Sequence, residues 1–131
     1  MMDPAKIETV RWRSSPTSAA PTRARRQLAG QLETWGVDAA DAELVLLVAY
    51  ELCTNAVEHA RTPLELAVSF DGQVLVVEVH DESKLEPRLQ PFNVKAARGR
   101  GLQMIAALAK SWNCVQLPDG KIIRAVLVMG S

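Results

Sequence analysis

Two polar residues that could bind a metal ion, Glu51 and Asn55, follow directly on a run of apolar residues. Every residue from Leu44 to Tyr50 is apolar, so we expect protein to surround that run on nearly all sides. An ionised carboxylate enclosed without a partner is costly, so Glu51 should open onto a cavity that holds water, a cation or a ligand. Asn55 lies one helical turn later on the same face. Carboxylate and amide oxygens projected together suit Mg²⁺ and the water around it.

The same pair also has a purely structural interpretation. Glu51 could hydrogen-bond to a backbone group instead, and Asn55 could bond to the neighbouring turn of its helix. These two residues alone leave both interpretations open.

A second acidic residue, Asp81, ends a predicted strand. Leu75, Val77 and Val79 alternate along that strand and share one face, and the same alternation places Asp81 on the buried face. A carboxylate at the edge of a core can accept a hydrogen bond from an exocyclic amine such as that of adenine. Asp81 could equally start an Asx turn, which is common after a strand.

A glycine-containing segment, Arg98 to Gly101, leads directly into a predicted helix. Exposed amides and the positive end of the helix dipole make such a terminus a phosphate site, and glycine lets the backbone approach a ligand closely. A lone GxG is also compatible with a simple bend. The apolar stripe of the predicted helix consists of Leu102, Ile105, Ala106, Ala109 and Trp112.

The segment before these glycines, Glu82 to Arg98, shows neither helical nor strand periodicity and contains Pro87 and Pro91. Long loops without structure of their own are uncommon in compact domains and often cover a site. We therefore expect this segment to act as a lid.

Helices and strands alternate in the rest of the chain. An edge strand is predicted over about Lys6 to Arg13, followed by a helix from about Pro21 to a C-terminal cap at Gly36. A second helix is predicted from Asp38 or Asp41 to about Ala60. A hairpin turning at Asp71-Gly72 follows, and the last predicted strands are Asn113 to Leu117 and Ile122 to Val128.

Composition limits the classes of protein to consider. The 131 residues, 48% of them hydrophobic, suffice for one core, so we expect a single domain over 1–131. Fifteen basic residues balance fifteen acidic ones, which does not favour nucleic acid as a direct partner. No apolar run is long enough to span a membrane. Cys53 and Cys114 form no metal-binding or CxxC pattern and are expected to be reduced, which suits the cytoplasm.

Three motifs occur in order along the chain: E-L-C-T-N-A at 51–56, V-H-D-E-S at 79–83 and G-R-G-L at 99–102. This order and spacing resemble the ATP-binding fold shared by gyrase, heat-shock chaperones, histidine kinases and MutL. The small bacterial branch of anti-sigma-factor serine/threonine kinases is the most similar, and the resemblance covers nearly the whole chain. It implies an α+β two-layer sandwich with a mixed, mostly antiparallel sheet and three long helices on one face.

The resemblance also implies roles for individual residues. Asn55 would coordinate the Mg²⁺ that bridges the ATP phosphates, Asp81 would accept from the adenine amino group, and Glu51 would be the general base. The remaining residues implied to contact ATP are Ser83, Arg98, Gly99, Arg100, Gly101 and Leu102.

The function implied is that of a cytoplasmic anti-sigma factor that phosphorylates a serine or threonine of an antagonist protein. Its partners would be a sigma factor and that antagonist, and a homodimer is one assembly that the resemblance allows. The family's D-x-G pattern ends here in Ser83, and Ile122 stands where a threonine often supports the adenine site. These departures favour the alternative of a partner-switch module that binds ATP without phosphoryl transfer. A scaffold that has lost nucleotide binding is a third alternative.

Overall fold

The structure, a computed structural model, describes residues 7–84 and 108–130. In these two ranges the chain forms five strands and two α-helices. They are β1 (Glu8–Ser14), α1 (Ala20–Thr34), α2 (Ala39–Asn55), β2 (Leu64–Phe70), β3 (Val74–Asp81), β4 (Ser111–Leu117) and β5 (Gly120–Val128). Neither helix is long and apolar enough to cross a membrane.

The strands form one sheet in the order β1-β2-β3-β5-β4. Each of the four pairings in the described ranges is antiparallel. Helix α2 packs against β2, β3 and β5, and α1 packs against α2. The predicted α+β architecture with a mostly antiparallel sheet is therefore confirmed. The third predicted helix falls almost entirely on residues outside the described ranges.

Alternating apolar side chains on the strands fill the space between the sheet and the helices. Leu75, Val77 and Val79 are at most 1% exposed, as the period-two pattern of β3 predicts. Burial along α2 instead follows the helical period, because one layer of helices on one sheet buries one face of each helix. Leu44 is 38% exposed, so the expectation that protein surrounds the whole run from Leu44 to Tyr50 was wrong at its start.

The two ends of α2 explain its position. Asp38 caps the first turn by accepting a hydrogen bond from the backbone amide of Ala40 at 3.1 Å, which selects one of the two predicted caps. The α-helix ends at Asn55 and continues as a wider π-helical turn over Ala56–Ala60. Arg61 then adopts a left-handed conformation with φ of 57°. The helical segment thus ends where the sequence predicts, but its last turn is not α-helical.

Trp112 corrects one prediction. The sequence places it on the apolar stripe of the third helix, whereas the structure places it in β4 opposite Ala125. Short apolar segments fit either period, and here the backbone pairs with β5: the amide of Lys110 already donates to the carbonyl of Val126 at 2.8 Å. Trp112 packs against the core from the edge strand.

Candidate functional site

Asp81 lies at the end of β3 and is 1% exposed. Its Oδ1 accepts a hydrogen bond from the backbone amide of Ser83 at 2.9 Å and another from Nζ of Lys121 at 2.9 Å. Its Oδ2 is buried and has no hydrogen-bond partner among residues 7–84 and 108–130. The turn interpretation of Asp81 is therefore confirmed, and its role as an acceptor for an amine stays a prediction. The residue starts a turn, and it also offers an unused acceptor on the buried face of the sheet.

Lys121 is a residue of this site that the sequence interpretation missed. It is the cross-strand partner of Asp81 in the ladder between β3 and β5, and its side chain is 4% exposed. The sequence did contain a signal, because Lys121 shares the alternation of Ile123 and Ala125 and so falls on the buried face. Lysine is almost never fully buried unless it is paired.

Gly120 allows the two strands to meet this closely. A Cβ atom built on Gly120 would overlap the carbonyl oxygen of Asp81 and would lie 2.9 Å from Cα of Glu82. Only a residue without a side chain fits against that backbone. The close approach of the strands beside Lys121 and Asp81 therefore requires glycine at position 120.

The same register also corrects the expectation about Ile122. Its partner on β3 is His80, and directly opposed residues in an antiparallel pair point to the same side of the sheet. Ile122 therefore faces away from Asp81. The expectation that Ile122 removes a supporting partner from Asp81 was wrong, because the residue that faces Asp81 from β5 is Lys121.

Glu51 and Asn55 are both half-buried on the C-terminal half of α2. Burial raises the pKa of the Glu51 carboxyl, and the nearby negative charge of Glu58 raises it further. Within the described ranges no hydrogen bond to either side chain of the pair is found. The bonds to backbone or to the adjacent turn that the structural interpretation needs are thus not seen there.

The π-helical turn joins this end of α2 to the end of β3. The turn follows Asn55 directly and contacts β3. Beyond it, the hydroxyl of Thr62 accepts a hydrogen bond from the backbone amide of Glu82 at 2.9 Å. π-Helical turns occur frequently at functional sites. The end of the helix that carries Glu51 and Asn55 is therefore attached to the end of the strand that carries Asp81.

Unused polar atoms at this end of the molecule fit a polar ligand. Besides Oδ2 of Asp81, the hydroxyl oxygen of Thr54 on α2 is buried without a partner in the described part of the chain. Buried polar groups are normally hydrogen-bonded, so each exception calls for an explanation such as a ligand or a water molecule. No group of three or more His, Cys, Asp or Glu side chains in the described part could hold a metal ion by itself. A metal bound through Asn55 would need further oxygen atoms from its ligand.

The remaining predicted site residues lie outside the described ranges. They are Arg98, Gly99, Arg100, Gly101 and Leu102, together with most of the predicted lid. Their roles stay predictions. Ser83 is half-buried, and its amide supports the carboxylate of Asp81.

A cavity of about 460 Å³ lies at the opposite end of the sheet, and the residues that line it include Trp35, Phe70 and Met129. Its acidic residues already have structural partners. Asp38 caps α2, and Oδ2 of Asp41 accepts from the amide of Gly130 at 3.0 Å. This cavity is distant in the fold from Asp81, and its polar groups support the chain itself.

Comparisons with known proteins agree with this fold. The family model described as the histidine kinase-like ATPase domain matches residues 13–127. The crystal structure of the RsbU and RsbW domains of Rv1364c from Mycobacterium tuberculosis is similar, with a TM-score of 0.71 and 20% sequence identity. The similarity covers 95% of this chain and 33% of the other, so the chain spans about a third of that length. No curated protein matches the chain significantly.

Proposed function

Because the chain belongs to the family of histidine kinase-like ATPase domains, we propose that it binds Mg-ATP beside the end of β3. The observation that carries this proposal is the buried, unused Oδ2 of Asp81. An ionised carboxylate oxygen only accepts hydrogen bonds, so it requires a donor. The amino group of adenine is such a donor, and it would satisfy an atom that is costly to leave without a partner.

The other contacts to Mg-ATP are proposed from chemistry and chain position. The amide oxygen of Asn55 is a hard ligand for Mg²⁺. The glycines at Gly99 and Gly101, with Arg98, Arg100 and Leu102, would hold the phosphates through backbone amides and positive charge. Ser83 contributes through its amide, which holds the carboxylate of Asp81 in place.

We further propose that the chain transfers a phosphoryl group to a serine or threonine of a partner protein. ATP supplies that group when bound, and Mg²⁺ offsets the negative charge of its phosphates. Glu51 accepts the proton of the attacking hydroxyl. Its raised pKa brings the carboxylate closer to the basicity that suits a general base near neutral pH. Glu51 is half-buried and therefore remains accessible to a substrate.

The proposed partners are a sigma factor and an antagonist protein in the cytoplasm. Two observations support them: the motifs resemble those of anti-sigma-factor kinases, and the fold is shared with a chain that contains an RsbW domain. The alternative function is ATP binding with partner switching and no phosphoryl transfer. The presence of Ser83 in place of a flexible glycine supports this alternative, because the turn after Asp81 is less free to adapt.

Thermal unfolding with and without Mg-ATP tests the binding proposal. Ligand at about one hundred times its Kd adds about 2.7 kcal/mol to the free energy of unfolding, which raises Tm by several degrees. Asn55→Ala should lose the part of this shift that depends on Mg²⁺. Asn113→Ala, an exposed asparagine on β4, is the matched control. The absence of any shift at millimolar Mg-ATP would contradict the proposal.

Phosphoryl transfer is tested separately with Glu51→Gln. This variant should bind Mg-ATP like the parent but fail to transfer labelled phosphate to proteins that co-purify with the parent chain. Glu43 is an exposed glutamate on the same helix, and Glu43→Gln should both bind Mg-ATP and transfer phosphate. Equal transfer by Glu51→Gln and the parent would remove the proposed base. The absence of transfer by the parent, with binding intact, would favour the partner-switch alternative.

A further inference from the structure

We propose that Lys121 determines the base specificity of the nucleotide site. It neutralises Asp81, holds that carboxylate with Oδ2 free as an acceptor, and supplies an N–H donor beside it. The two groups together would recognise the amino group and the adjacent ring nitrogen of adenine. This inference rests on the proposed nucleotide site and adds to it the residue that selects the base.

The position of Lys121 is fixed by the backbone and does not depend on a flexible surface contact. Asp81 and Lys121 form the pair that ends the β3–β5 ladder, and Gly120 lets the strands approach at that point. Nζ of Lys121 lies 2.9 Å from Oδ1, with the two side chains 4% and 1% exposed. The geometry of the pair is thus set before any ligand binds.

The hydrogen-bonding capacity of the pair is only partly used. Oδ1 of Asp81 already accepts from Lys121 and from the amide of Ser83, whereas Oδ2 accepts from nothing in the described ranges. A lysine ammonium has three donors, and the described contacts use one of them. The pair therefore offers an acceptor and a donor side by side.

Adenine presents the complementary pattern, an amino donor next to a ring-nitrogen acceptor. Guanine and hypoxanthine present the reverse pattern, a carbonyl acceptor next to a ring N–H donor. A site with fixed polar groups rejects a ligand that leaves those groups without partners. Lys121 and Asp81 should together favour ATP over GTP and ITP.

A purely structural ion pair is the competing explanation for Lys121. Buried ion pairs contribute little net stability, because the cost of removing both charges from water offsets their attraction. The same two strands already carry an ion pair on the opposite face, where Arg124 contacts Glu78 at 2.7 Å and is more exposed. That second pair provides a control in the same strand for the loss of a cation.

Equilibrium binding of Mg-ATP, Mg-ITP and Mg-GTP tests the proposal on the parent, Lys121→Met, Lys121→Gln and Arg124→Met. The parent should bind ATP at least about tenfold more tightly than ITP or GTP. Lys121→Met should weaken ATP binding by about tenfold or more and bring the ATP-to-ITP ratio towards one. In this variant the ring nitrogen of adenine has lost its proposed donor, so the advantage of ATP over ITP should fall. Arg124→Met should retain the affinity and the ratio of the parent.

Lys121→Gln covers the case in which Lys121→Met does not fold, because its amide still donates to Oδ1 without a positive charge. An uncharged donor makes weaker hydrogen bonds than an ammonium group does, so this variant should also lose much of the preference for ATP. A folded Lys121 variant with the parent's ATP affinity and ATP-to-ITP ratio would overturn the proposal. A parent that binds ATP and ITP equally would also overturn it, while leaving ATP binding intact. A parent that binds no nucleotide would contradict the proposed function itself.

Discussion

Asp71, in the hairpin turn before β3, and Asp81, the last residue of β3, form the same local contact. Oδ1 of Asp71 accepts from the amide of Gln73, and Oδ1 of Asp81 accepts from the amide of Ser83, both at 2.9 Å. Each residue thus begins an Asx turn. From sequence alone, the two aspartates have the same structural interpretation.

The surroundings of the two carboxylates differ. Oδ1 of Asp71 accepts a second backbone bond, from Val74 at 2.7 Å, in the exposed hairpin turn. The amides of Val74 and Gln73 lower the pKa of the Asp71 carboxyl. Asp81 is buried at the end of the strand, receives an ammonium group as its second donor, and keeps one oxygen without a partner in the described ranges. A turn explains Asp71 fully, whereas it leaves part of Asp81 unexplained.

The difference indicates which feature marks a candidate site. Residue type and local turn geometry are shared, so neither one separates the two aspartates. Burial together with an unused acceptor does distinguish Asp81 from Asp71. A buried acceptor without a partner lowers stability unless a ligand or a water molecule donates to it. The following predictions test this distinction.

The largest expected loss of stability comes from Gly120, where β5 approaches the backbone of Asp81. Gly120→Ala should lower the free energy of unfolding by about 4 kcal/mol or more, because its Cβ would overlap the backbone of Asp81. Gly30→Ala, in helix α1 with no atom within 4 Å of its added Cβ, should stabilise the protein by up to about 1 kcal/mol. Urea denaturation measures both. Equal stability of Gly120→Ala and the parent would show that the strands do not approach so closely.

The next effect compares the two carboxylates directly. Asp81→Asn should lower the free energy of unfolding by about 3 kcal/mol, because it leaves the buried Lys121 without a counter-charge. Asp71→Asn should change Tm far less, since its amide oxygen still accepts from the turn. Thermal unfolding at neutral pH measures the contrast. Equal losses at the two positions would remove the distinction between them.

Glu51→Gln should change stability by a smaller amount and in the opposite direction. Burial and Glu58 raise the pKa of Glu51 in the folded protein, so the protonated form is the one that folding favours. The stability that this group contributes is present below the ordinary glutamate range and is lost as the pH rises through its folded pKa. Glu51→Gln should therefore raise Tm slightly at neutral pH, with the gain disappearing in acid. A loss of stability at neutral pH would contradict this assignment.

The smallest expected change in stability is that of Asp71→Asn, and it appears only at acidic pH. Its lowered pKa means that its contribution is present above the ordinary aspartate range and is lost as the pH falls through the lower, folded pKa. Asp71→Asn should show a weaker fall in stability across that window than the parent does. Denaturation midpoints over a series of acidic pH values provide the measurement. Parallel curves for the two proteins would contradict the shift.

Regular patterns made part of the fold predictable. The period-two alternation of β3 placed Asp81 on the buried face, and Gly36, with φ of 72°, ends the first helical segment as its position predicts. The edge position of β1 was also predicted correctly. Each of these features depends on residues that are close together in the chain.

Contacts between distant segments could not be predicted in the same way. Lys121 meets Asp81 only because β5 pairs with β3 in one particular register, in which Gly120 lets the two strands approach closely. Shifting that register by one residue would bring Ile122 to face Asp81 instead. The influence of Glu58 on Glu51 likewise coincides with a π-helical turn that sequence periodicity does not reveal.

Calorimetric titration of Mg-ATP into the parent, Asp71→Asn and Asp81→Asn tests the central claim, that the free oxygen of Asp81 binds the adenine amine. The parent and Asp71→Asn should bind with the same Kd, because the turn carboxylate takes no part in the site. Asp81→Asn should bind at least about tenfold more weakly. A folded Asp81→Asn protein with the parent's affinity, or a parent that does not bind millimolar Mg-ATP, would contradict the account.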